Sequence, residues 1–227
     1  PVTAYGQCKK DLEKALAALA SDDFSPTNLR NATAYGVSPA LRLDLVLNDF
    51  VATAYTTGRV LILSDGTPWR PIVHVEDISR AFLAVLEAPR EAVHNESFNV
   101  GRNEENYQIR ELAEIVAEVV PGCQIEYAPG GGPDRRSYRV DCTKIRDRLP
   151  NFQPQWTARR GAEQLLEAFR TSGFRREDLE GPKYKRLGHI RRLLEQGRLD
   201  ETLRFKQLPG APHPEVNGSC HGDRAYR

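Results

Sequence analysis

Tyr5 and Lys9 stand four residues apart at the start of a helical stretch, so a phenol and an ammonium share one helix face. The pairing has a specific chemical use. A free phenol ionises near pH 10, so a tyrosine that serves as a base near neutrality needs a shift of about three units, or about 4 kcal/mol. One cation about 4 Å away, at an effective dielectric of about 20, supplies about that much. A lysine in this position is sufficient in principle to make Tyr5 a general base toward a sugar or alcohol hydroxyl. The Y-x-x-x-K match alone is a weak signal, because both residue types are common. No glycine-rich phosphate motif accompanies it: neither G-x-x-x-x-G-K-[ST] nor G-x-G-x-x-G nor G-x-x-G-x-x-G occurs in the sequence.

The elements that must position this pair come from patterning. Over residues 5–20, Cys8, Leu12, Leu16 and Leu19 recur at spacings of four and three, which predicts an amphipathic helix. Residues 27–32 read as a short strand that runs into a loop through Tyr35, Gly36 and Pro39, and residues 41–57 as a helix stopped by Gly58. Two apolar runs, residues 60–63 and 72–75, read as strands around a tight connection at Asp65-Gly66. A helix follows from Glu76-Asp77 to Pro89, then a strand at 97–101, a helix at 109–120, a strand at 124–127 and the glycine-rich loop 130–133. Residues 138–140 read as a strand, and 143–149 and 158–170 as helices. Strands and helices interleave up to Ser172, which predicts an α/β fold. Beyond it, residues 184–196 form a basic helix with Leu187, Ile190, Leu193 and Leu194 as an apolar stripe, residues 199–205 a short helix, and the Pro- and Gly-rich end a fraying tail.

Composition narrows the function classes. Lys and Arg number 32 against 31 Asp and Glu, so no global positive field exists to hold a polyanion, and nucleic acid is not an expected partner. No apolar run is long enough to span a bilayer, so no membrane partner is expected. Cys8, Cys123, Cys142 and Cys220 are scattered singly and read as reduced thiols, which favours a cytoplasmic location; His213, Cys220 and His221 form no convincing metal set. The sequence holds no Met and opens on Pro1, and is read as the C-terminal portion of a longer polypeptide.

Four segments appear in order: residues 1–9 (PVTAYGQCK), 29–36 (LRNATAYG), 65–77 (DGTPWRPIVHVED) and 98–101 (FNVG). Together they resemble the extended short-chain dehydrogenase/reductases, specifically the NAD-dependent nucleotide-sugar epimerases and dehydratases, over roughly residues 1–173. The resemblance implies a partial Rossmann-type (doubly wound) domain plus a smaller α/β substrate-binding domain. Residues 1–37 and 70–102 would be the remnant of the NAD-binding domain, 38–69 and 103–173 the substrate-binding domain, and 174–227 a C-terminal helical extension and flexible tail. It also implies Tyr5 as catalytic base, with Lys9 lowering its pKa and bonding the nicotinamide ribose, and Asn31 passing beside the nicotinamide. Thr33 stands where many members carry a substrate-contacting Asn, and Asn48 near where they place a second substrate amide. Arg70 would meet the substrate diphosphate, its planar fork suiting two phosphate oxygens. The usual acid after that arginine is Pro71 here, so the local hydrogen bonding must differ. Arg135, after three glycines, would close over the same diphosphate. His74 and Asp77 read as structural.

The implied reaction is epimerisation or dehydration of a nucleoside-diphosphate sugar with NAD or NADP as cofactor, in a protein expected to be a homodimer. The rivals are a reductase or dehydrogenase on the same scaffold, and a catalytically silent substrate-binding or dimerisation fragment. With no glycine-rich turn for the pyrophosphate, these residues alone are not expected to build a complete NAD site.

Overall fold

The computed structural model describes residues 3–132 and 137–206. Thr3 opens helix α1 (Ala4–Ala18) by accepting a hydrogen bond from the Gly6 amide. Strands β1 (Thr27–Asn31) and β2 (Thr33–Tyr35) follow, then α2 (Val46–Thr57), β3 (Arg59–Ile62), β4 (Trp69–His74), α3 (Val75–Glu87), α4 (Arg90–Val93), β5 (Glu96–Val100) and β6 (Asn106–Gln108). The order continues α5 (Ile109–Val119), β7 (Gln124–Tyr127), α6 (Thr143–Arg148), α7 (Ala158–Thr171), α8 (Arg176–Glu180) and α9 (Arg186–Glu195). β1 runs parallel to β5, β3 parallel to β7, and β4 lies between parallel β2 and antiparallel β6. The fold is α/β, as the interleaved pattern predicts.

Two apolar cores organise the chain. One gathers Tyr35, Leu47, Val51, Val60 and Ile62 with Leu112, Val116, Leu165 and Phe169, so α2, α5 and α7 close on β3. The other gathers Val73, Ala81, Phe98 and Val100 with Cys142, Ile145, Leu149 and Phe152. Residues 142–152 pack against β5 and α3, where α6 turns the apolar Ile145 and Leu149 onto that sheet.

Side-chain hydrogen bonds explain the other departures. The expected strand at 138–140 does not form, since Val140 exchanges both backbone hydrogen bonds with the Asn106 carboxamide, at 2.8 and 3.0 Å, in place of a strand partner. The helix expected from Leu41 begins only at Val46: the Arg42 carbonyl accepts from Asn48 Nδ2, and the Leu43 amide donates to the Tyr184 carbonyl. Residues 199–205 form an antiparallel bridge between Leu199 and Phe205 rather than a helix, with Asp200 Oδ1 accepting from the Thr202 and Arg204 amides. The runs at 60–63 and 72–75 are not a hairpin, because each finds a parallel partner in a different sheet. Residues 33–35, expected as loop, pair with β4.

Asp77 joins the two halves of the second core. Its carboxylate is 2% exposed and accepts from the Gln155 amide at 2.9 Å and the Trp156 amide at 3.0 Å, while Arg80 Nη1 donates to it at 3.0 Å. Replacing it by alanine strands two amides and removes one of the partners of the Arg80 guanidinium, and is expected to cost about 3 kcal/mol of stability by urea unfolding. A loss under about 1 kcal/mol would contradict this accounting.

Candidate functional site

The carboxyl end of β3, the amino end of α2 and the start of β4 converge on a cleft of about 990 Å³. Register explains part of the convergence. Thr33 pairs with Ile72 on β4, and Arg70 lies two residues before Ile72, so Arg70 projects on the same side of the strand. Tyr5 reaches the cleft from the first turn of α1, and Leu61, Leu63 and Tyr138 add apolar and aromatic surface. Gly131 lets the 128–132 turn lie against β3's exit, where a Cβ would come within 2.9 Å of the Leu63 and Ser64 carbonyls.

The expected site residues divide. Tyr5, Thr33 and Arg70 line the cleft together. Tyr5 is 74% exposed, and Lys9 Nζ lies 5.5 Å from its ring centroid. Arg70 Nη1 donates to the Trp69 carbonyl at 2.8 Å. Asn31 is exposed at the carboxyl end of β1 and does not line the cleft. Asn48 does not line it either: it is 2% exposed, with Oδ1 accepting from the Gly36 amide and Nδ2 donating to the Arg42 carbonyl. Its role is to fix the turn between β2 and α2. Asp49, the next residue along α2, does line the cleft. Arg135 lies outside the described residues.

His74, at the end of β4, does not line the cleft. The ring is buried; its Nδ1 accepts from the Glu76 amide at 3.1 Å, so Nε2 carries the proton and donates to Gln164 Oε1 at 2.9 Å. Trp156 stacks on it at 3.8 Å. Burial holds its pKa below the usual imidazole value, against the opposing pull of the Gln164 hydrogen bond. A neutral, wedged imidazole at this place is structural, as its position at a strand end suggests.

Asp49 and Lys185 also line the cleft and carry no motif that sequence spacing could reveal. A first-turn acid on a helix and a basic residue before another are each common surface features.

Residues 1–101 match the NAD dependent epimerase/dehydratase family. The chain is similar in structure to UDP-glucose 4-epimerase from Thermotoga maritima, with 27% identity and a TM-score of 0.65, over 76% of this chain and 55% of that one. UDP-glucuronic acid 4-epimerase from Bacillus cereus, in complex with UDP-glucuronic acid and NAD, shares the fold at 20% identity and a TM-score of 0.61, over 76% of this chain and 54% of that one. L-threonine dehydrogenase from Phytophthora infestans shares it as well, at 17% identity and a TM-score of 0.64, over 75% of this chain and 57% of that one. The chain therefore spans little more than half the length of these relatives. The shared scaffold carries both sugar and amino-acid chemistry in them, so the cleft's own residues must argue the substrate.

As a fit for the family's cofactor, the phenol and ammonium of Tyr5 and Lys9 and the amide of Asn31 suit the hydroxyls of a ribose. The sequence offers no glycine-rich turn between strand and helix for the pyrophosphate. Among the described residues, no helix is long and apolar enough to cross a membrane.

Proposed function

We propose that the chain carries the catalytic base and the sugar-nucleotide cleft of an NAD-dependent epimerase or dehydratase acting on a nucleoside-diphosphate sugar. The observation that carries this reading is the meeting of Tyr5, Thr33 and Arg70 in one cleft, from three separate elements. A nicotinamide, when bound, supplies the hydride acceptor. Tyr5 Oη takes the proton from a sugar hydroxyl, Thr33 Oγ1 holds that hydroxyl, and Lys9 orients the phenol and meets the ribose. Arg70 grips the diphosphate with two parallel N–H donors. The cytoplasm is the compartment this reading assumes.

Arg70→Ala tests the reading. In calorimetric titration it is expected to weaken UDP-glucose binding about tenfold or more, as loss of a charge-assisted bidentate contact does, while NAD binding changes little. Equal losses for both ligands, or none for the sugar nucleotide, count against it.

Two further expectations concern the 227-residue chain itself. Dinucleotide affinity on this scaffold comes largely from a glycine-rich turn and a helix N-terminus at the pyrophosphate, so NAD binds weakly and turnover by these residues alone is absent. Helix α1 buries no residue, and Leu12 and Leu19 are 51% and 64% exposed, which favours homodimer formation through that helix. Titration with NAD beside light scattering checks both: micromolar NAD affinity from a clean monomer would overturn them.

A further inference from the structure

Asp49 and Lys185 are charged residues in the cleft for which the proposed reaction has no use. Asp49 lies in the first turn of α2 and Lys185 immediately before α9, and both face the cleft that holds Tyr5 and Arg70. Lys185 lies outside the 1–101 stretch that matches the family, so the C-terminal extension contributes to the cleft wall. The extension is anchored there, since the Tyr184 carbonyl accepts from the Leu43 amide at 3.2 Å and the Tyr184 ring packs on Phe174.

The two groups feel each other without closing. Burial pushes the Asp49 carboxyl above the ordinary carboxylate range, Lys185 pulls it back, and Asp44 adds to the rise. Among the described residues, no hydrogen bond or ion pair engages the Asp49 carboxylate or the Lys185 ammonium. The neighbouring Asp44 is different, because Arg42 already binds both its oxygens at 2.9 and 2.7 Å. A separated carboxylate and ammonium in one wall complement adjacent hydroxyls, which donate to the first and accept from the second.

The charges also discriminate. Asp44 is held by Arg42 and also feels Arg186, while Asp49 faces Lys185. A sugar carboxylate would bring a like charge beside the half-buried Asp49, whereas a neutral hexose would not. We propose that Asp49 and Lys185 read neighbouring hydroxyls of the sugar and select a neutral hexose over one that bears a carboxylate. This rests on the sugar-nucleotide reading of the cleft.

The test is calorimetric titration of the full chain with UDP, UDP-glucose and UDP-glucuronate. UDP-glucose is expected to bind about tenfold more tightly than UDP-glucuronate, and the isosteric Asp49→Asn to shrink that ratio to about threefold or less by improving the uronate. Lys185→Met is expected to weaken UDP-glucose about tenfold and leave UDP within about threefold. Thermal unfolding of each variant confirms that it is folded. An unchanged ratio in Asp49→Asn, or unchanged UDP-glucose binding in Lys185→Met, overturns the proposal while leaving the cleft reading intact. Wild-type protein that binds none of the three ligands overturns both.

Discussion

Tyr5→Phe is expected to lower turnover on a nucleoside-diphosphate sugar by about two to four orders of magnitude, in an active polypeptide that joins these residues to a complete dinucleotide site. The substitution deletes one oxygen from a side chain that is 74% exposed, so neither folding nor cleft shape should change. The affinity for the sugar nucleotide should stay within about threefold, because the diphosphate contact is the one proposed for Arg70. Steady-state rates beside a binding isotherm separate the two effects. A variant that keeps wild-type rates removes Tyr5 from the role of base. A variant that loses binding and rate together reassigns it to substrate recognition.

Gly36→Ala is expected to be the most damaging single-methyl change in the fold. Gly36 has φ +106°, in the region that L residues avoid, and an added Cβ would stand 2.2 Å from His74 Nε2. The imidazole cannot retreat: Gln164 and the Glu76 amide hold its two nitrogens, and Trp156 covers one face. Backbone strain and overpacking together are expected to cost about 3 kcal/mol, or a fall of roughly 10 °C in Tm for a chain of this size. The Gly36 amide donates to Asn48, so the distortion should pass to the turn that leads into α2 and weaken sugar-nucleotide binding as well. A double-mutant cycle with His74→Ala isolates the clash, since removing the ring should recover part of the loss. A Tm within about 2 °C of wild type would show that the ring yields where the geometry says it is fixed.

Much of the fold is legible in the sequence where one element's own pattern decides it. Ile78, Ala81, Val85 and Leu86 predict α3, Ile109 to Val120 predict α5, and the apolar run at Val60 predicts β3. What sequence reasoning misses is decided by side chains reaching across the chain. The Asn106 carboxamide replaces a strand at Val140, and Asn48 draws the Arg42 carbonyl out of the helix expected to start at Leu41. That second bond matters for the site. Where it forms, α2 starts late, Asn48 is buried and Asp49 lines the cleft. Tyr5, Thr33 and Arg70 stand in the ordered motifs, and the cleft brings the three together. Lys185 is not legible in the sequence, because its presence in the cleft depends on a C-terminal segment folding back onto Leu43, which no local pattern encodes.

The central claim is that one cleft holds a sugar nucleotide between Arg70 and Tyr5. A crystal structure of the chain soaked with UDP-glucose tests it most directly. The pyrophosphate is expected against the Arg70 guanidinium, with the hexose between Tyr5 and Thr33. Ligand density in the smaller hollow lined by Arg102, Cys142 and Arg146, or a hexose directed away from Tyr5, would contradict it.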